Sequence, residues 1–132
     1  MNKGFTILEV IVAIFVITIG VLGAFSVVQR IVSNTMAVSS RLTAVYLAKE
    51  GIEIVRNNRD NNWLDPAEPP WDSGLSSTGW ITHTELPKYE RRTTITLVGS
   101  DMLKVLVDVR WTEKGQTHTV NVQENLYDWY PE

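Results

Sequence analysis

The stretch VIVAIFVITIGVLGAFSVVQ, residues 10–29, holds no formal charge between Glu9 and Arg30. As an α-helix, twenty residues rise about 30 Å, which matches the hydrocarbon core of a bilayer. A half-buried strand would alternate apolar with polar positions, whereas positions 10–17 are apolar throughout. A core helix in so small a domain would keep one polar face. The run therefore predicts a transmembrane helix over about residues 5–29. A cleaved secretory signal fits less well: its apolar core would be shorter, and residues 37–40 (AVSS) make a poor cleavage context. Lys3 and the initiator amine precede the run, so the positive-inside tendency places the N-terminus in the cytoplasm and the rest of the chain outside, with Arg30 and Arg41 counting against that vote.

Of 132 residues, about thirty are thus committed to the membrane. The remainder makes one domain with its supporting helix. The absence of cysteine rules out disulfides and thiolate metal sites, so apolar packing must hold an exported domain together. From Arg56 onward there are twelve acidic residues against eight Lys and Arg. That balance disfavours direct nucleic-acid binding.

Past the membrane run, Val38, Leu42, Val45, Ala48, Ile52 and Val55 recur at spacings of three and four. This predicts an amphipathic helix over about 30–57, continuous with the first, with its apolar stripe laid on a sheet. Gly20 and Gly23 are candidate loosening points, and Ser33, Asn34 and Thr35 mark a stretch where the helix is expected to fray or bend. The helix should end within NNRDNNW, residues 57–63, because Asn and Asp compete with helical bonding and Pro66 follows. Residues 58–132 then form the head. Its first part, to about residue 87, reads as loop, with Trp63, Trp71 and Trp80 placed to fold back on the domain.

The period next changes to two. Ile95 and Leu97 oppose Thr94, Thr96 and Val98, while Val105, Val107, Val109 and Trp111 oppose Lys104, Leu106, Asp108 and Arg110. Val120 and Val122 continue the inward pattern. Gly99-Ser100-Asp101 and the Glu113-Lys114-Gly115 stretch suit hairpin turns, which predicts an antiparallel meander of at least three strands. The tail QENLYDWYPE either pins itself by Leu126 and Trp129 or adds a short edge strand. The fold class is α+β: a long N-terminal helix packed on a small antiparallel sheet.

Several side chains invite chemistry. Asp60, Asp65, Glu68 and Asp72 cluster as oxygen ligands for Ca²⁺ would, but without a twelve-residue calcium loop they read as a solvated loop, and no metal or cofactor is expected. His83 and His118 stand alone and read as surface residues. Arg91 and Arg92 face water or a neighbouring subunit's carboxylate. No nucleophile and base can be argued from spacing, so an enzyme is not expected.

The N-terminus carries the most specific signal: Lys3-Gly4-Phe5-Thr6-Ile7-Leu8-Glu9, directly before the apolar run. It resembles the type III signal of type IV prepilins and of the pseudopilins of type II secretion systems, and the fold expected above is pilin-like. The resemblance implies a leader, residues 1–4, removed between Gly4 and Phe5 by a prepilin peptidase that also methylates the Phe5 amine. It further implies that Glu9 serves assembly by pairing with the N-terminal amine of its own or an adjacent subunit. The partners so implied are the peptidase, other pilin or pseudopilin subunits and the inner-membrane assembly platform. Localisation would be single-pass in the inner or cytoplasmic membrane, with the head periplasmic or extracellular and the mature chain in a pilus or pseudopilus. Many pilins close a C-terminal loop with a disulfide and carry a proline in the membrane helix. This chain has neither, which points to a minor pilin or pseudopilin over a major pilin, in a pilus, secretion or DNA-uptake machine. The different-class alternative is a tethered binding or sensor domain that never polymerises.

Overall fold

The computed structural model describes residues 4–67 and 69–129. Most of the expected leader, Glu68 and the last three tail residues lie outside them. One helix, α1 (Ile7–Leu64), is followed by β1 (Ile81–Thr82), β2 (Tyr89–Val98), β3 (Met102–Glu113) and β4 (Gln116–Tyr127). The strands form one antiparallel sheet in the order β1-β2-β3-β4. The chain divides into two compact units, residues 1–39 and 40–132.

In the first unit, α1 is unbroken through Gly20, Gly23 and the 33–35 stretch. The expected fraying is absent there, and Thr35 returns its hydroxyl to the Ile31 carbonyl at 3.0 Å.

In the second unit, the alternation of β3 determines the core. Val105, Val107 and Val109 are fully buried and Trp111 nearly so. Each sits between two neighbours, Val107 between Thr93 and Val122, and Trp111 between Tyr89 and His118. Burying each valine contributes about 1.5–3 kcal/mol. The two-residue Lys114-Gly115 turn has both residues at positive φ, 51° and 77°. This is the type I′ geometry whose twist matches the strands it joins. Gly99, at φ 73°, serves the three-residue turn between β2 and β3.

The helix stripe differs from the one expected. Ala44, Leu47, Ala48, Gly51, Ile52 and Val55 are buried, whereas Val38 and Leu42 are exposed and Val45 is half-buried. Small residues set this phase, since they let the α1 backbone approach β3. A Cβ on Gly51 would lie 2.9 Å from Val107 Cγ1 and 3.0 Å from Arg91 Cδ. Gly51→Ala should therefore destabilise the head by about 1 kcal/mol net: overpacking costs about 2 kcal/mol and improved helix propensity returns about 1. Urea unfolding followed by tryptophan fluorescence measures it, and a more stable variant would show that the valine yields.

α1 also runs to Leu64, about two turns beyond the end expected near Asn57. Tertiary bonds outweigh the low propensity of Asn and Asp. Asn62 donates to the carbonyls of Trp71 and Ser73, at 3.0 and 2.9 Å. Buried Arg59 donates to the Tyr127 carbonyl at 3.3 Å and lies 4.6 Å from the Trp63 ring centre. Trp63 meets Trp129 edge-on at 4.8 Å. The presumed loop holds β1, and the tail as far as Tyr127 prolongs β4, with Leu126 buried.

Candidate functional site

The N-terminal motif stands at the start of α1. Gly4 has open space around it, with nothing within 4 Å of a would-be Cβ, and Phe5 is 83% exposed. Thr6 ends the non-helical segment. Its Oγ1 accepts the Glu9 N–H at 3.3 Å and its carbonyl accepts the Val10 N–H at 3.2 Å. Thr6 is thus the N-cap and Glu9 stands three residues on, the Thr-x-x-Glu spacing of a capping box. The sequence reading noted the threonine without giving it this role, although the spacing alone carries the signal. Exposed Glu9 lies in the first turn, where the helix dipole favours a negative charge.

From Phe5 to Val32 the apolar side chains face outward all round: Phe15, Ile17, Val21, Leu22 and Phe25 are each 60% exposed or more. A water-soluble surface does not carry so wide an apolar belt. The polar residues within the belt hide their donors, with Thr18 bonding the Ile14 carbonyl at 2.8 Å and Ser26 the Leu22 carbonyl at 2.9 Å. Such self-satisfaction is what a lipid or helix-bundle environment requires. α1 is long and apolar enough to cross a membrane.

Elsewhere the candidates resolve into structure. Arg91 is half-buried and finds its carboxylate within the chain: it donates to Glu50 at 3.1 Å and the Leu47 carbonyl at 3.2 Å. Arg92 pairs with buried Asp108 at 2.8 Å. Arg110 pairs with Glu90 at 2.6 Å. Arg92 and Arg110 both lie over the Trp80 ring, at 4.8 and 4.2 Å, which explains why a loop tryptophan is needed there. His83 is half-buried, whereas His118 is the exposed residue expected. His83 accepts the Leu86 N–H at 3.2 Å and lies 3.8 Å from Glu50, and His118 stacks on Trp111 at 5.3 Å. Lys88 bridges Ser40 and Glu113, at 2.9 and 3.3 Å. The Ser40 hydroxyl and then Lys88 hold the Glu113 carboxyl below its usual range.

Asp60 accepts from Arg59 at 2.8 Å and Asp65 accepts the Ala67 N–H at 2.9 Å. Among the described residues no group of three His, Cys, Asp or Glu is placed to hold a metal. A cleft of about 640 Å³ lies between α1, residues 74–85 and β2, with the Glu50–Arg91 pair and His83 on its wall.

Residues 1–25 match the family model for the prokaryotic N-terminal methylation motif. No curated protein and no solved structure matches the chain. The N-terminus is therefore a type IV prepilin-like signal, and the long helix on an antiparallel sheet is a pilin-like α+β arrangement. Proteins carrying this signal are structural subunits rather than catalysts, and the signal marks a type IV pilin-like precursor.

Proposed function

We propose that the chain is the precursor of a minor type IV pilin or pseudopilin, built through its N-terminal helix into a pilus, secretion or DNA-uptake assembly. The observation that carries this is the junction of two features: a basic-Gly-Phe-Thr signal and, directly after it, a helix whose apolar side chains are exposed on every side. The domain division follows: leader 1–4, membrane helix 5–29, helix into the head 30–57, and head 58–132, with the residue-57 boundary falling inside α1. Lys3 and the amine stay cytoplasmic and the head lies across the inner membrane. A prepilin peptidase cuts between Gly4 and Phe5 and methylates the Phe5 amine. The processed chain then joins other pilins at the assembly platform. Lack of cysteine and of a helix-breaking proline supports a minor subunit over a major one.

Open space around Gly4 suits passage of an extended segment through a protease cleft. Co-expression with a prepilin peptidase should remove residues 1–4, read as the intact mass of the membrane-extracted chain. Gly4→Leu should abolish that mass change while leaving insertion unaltered, because insertion depends on the apolar run and cleavage on local access. A wild-type chain left whole, in a host whose other prepilins are cut, would refute the assignment.

A further inference from the structure

The two edges of the sheet are treated differently. On the β2 side the loop closes the edge: Thr78 N–H donates to the Thr93 carbonyl at 2.8 Å, Thr93 N–H to Thr78 Oγ1 at 3.2 Å, and Ile95 N–H to Ser77 Oγ at 2.8 Å. β1 covers the next residues along. The β4 side has no such cover among the described residues.

The direction of its backbone groups follows from the register. The two-residue turn makes Glu113 and Gln116 a hydrogen-bonded pair, so even-numbered β4 residues bond β3. The Asp128 N–H, donating to the Asp101 carbonyl at 2.8 Å, fits the same parity. The N–H and C=O groups of Thr117, Thr119, Asn121, Gln123 and Asn125 therefore point away from the sheet, and all five residues are exposed. Edge strands are normally blunted by lysine, proline or a bulge. β4 has neither lysine nor proline, and its pairing with β3 is continuous over twelve residues. Its single carboxylate, Glu124, is already paired with Arg56.

The Arg56–Glu124 pair also fixes which side of α1 borders this edge. Lys49 lies two turns before Arg56 on that side, and Arg41 about two turns before Lys49. Both are exposed and neither enters an ion pair among the described residues. Between them lies half-buried Val45, with half-buried Val120 and Val122 on β4.

We propose that the β4 edge docks an extended strand of a partner protein, with acidic and β-branched side chains alternating on its α1-facing side. The backbone edge supplies the ladder, Arg41 and Lys49 select the acids, and the valines take the apolar positions. A second copy of this chain fits less well, because its β4 would bring only Glu124, whose charge Arg56 already answers. The edge uses no residue of the N-terminal motif, so its role stands whether or not the chain is processed.

The full chain in detergent micelles can be titrated with two synthetic peptides, TETVTETVT and TKTVTKTVT. The acidic peptide should bind about tenfold tighter, as two exposed ion pairs and their reversal allow. It should also slow amide exchange at Thr119, Asn121 and Gln123. Exchanging both cations, Arg41→Glu with Lys49→Glu, should reverse the preference. Asn121→Pro removes an outward N–H that the ladder does not use, so the head should stay folded and peptide binding should vanish. Equal affinity for the peptides, no binding by either, or acidic-peptide binding without exchange protection of β4 would each overturn the proposal. So would a concentration-dependent dimer lost in Asn121→Pro, which would assign the edge to a second copy.

Discussion

Val107→Asp should leave the head without a cooperative unfolding transition. Val107 is fully buried, flanked by Thr93 and Val122 across the strands and covered by α1 at Gly51. The nearby Arg91 guanidinium is already committed to Glu50 and the Leu47 carbonyl, and the close approach of Gly51 leaves no slack for a water. The substitution forfeits about 1.5–3 kcal/mol of apolar burial and adds a desolvation cost of several kcal/mol for the polar group. A domain of this size has about 5–10 kcal/mol in total, so the sum reaches the whole stability. Thr96→Asp provides the control: Thr96 is exposed and faces Lys104 across the strands, so its effect should stay within about 0.5 kcal/mol. Thermal unfolding followed by near-ultraviolet circular dichroism separates the two. A Val107→Asp midpoint equal to wild type would mean that the other face of β3 is the buried one.

β3 was readable from sequence because alternation has only two phases and one of them places four large apolar residues together. α1 was harder. Around Val38, Leu42, Val45 and Leu47 apolar residues lie on most sides, so a period of 3.6 accommodates more than one stripe. Contact distance decided the phase: Ala44, Ala48 and Gly51 face the sheet because they are small, a property that a hydrophobicity pattern undervalues. The helix end was misplaced for a related reason. Propensity argues for stopping at Asn57, but Asn62, Arg59 and Trp63 find partners in residues remote in sequence. Arg91 is held by Glu50 on α1, a partner that strand register does not reveal, whereas Arg92 is exposed as expected and also pairs with Asp108 across the strands. At the N-terminus, a seven-residue motif followed by an uncharged run sufficed to locate the candidate site, because the requirements there are local.

Glu9→Ala should insert, be processed and fold its head normally, yet enter the proposed assembly about tenfold or more less well. Cleavage at Gly4 would create a new amine on Phe5, at the positive end of the helix dipole. In the bilayer that amine can reach headgroups and water. Packed among neighbouring helices it loses both, and an unanswered buried cation costs several kcal/mol. Glu9, in the first turn and bordered by Leu8 and Val10, would be the carboxylate to answer it, on its own chain or the next. Because a neighbour would be stabilised only where the axial stagger brings carboxylate and amine together, the same contact would set register. The helix start is separable from this role: the Thr6 cap uses the Glu9 backbone N–H and not its carboxylate. Glu9→Ala therefore keeps the cap, whereas Thr6→Ala should weaken the first turn by about 1 kcal/mol while keeping the charge. Glu9→Gln preserves size and hydrogen bonding, so a loss as severe as that of alanine would assign the effect to charge. Crosslinking of the processed variants to co-expressed pilin subunits, normalised to membrane abundance, measures incorporation. Wild-type incorporation of both Glu9 variants would defeat charge pairing, and a defect confined to Thr6→Ala would shift the role from charge to the helix start.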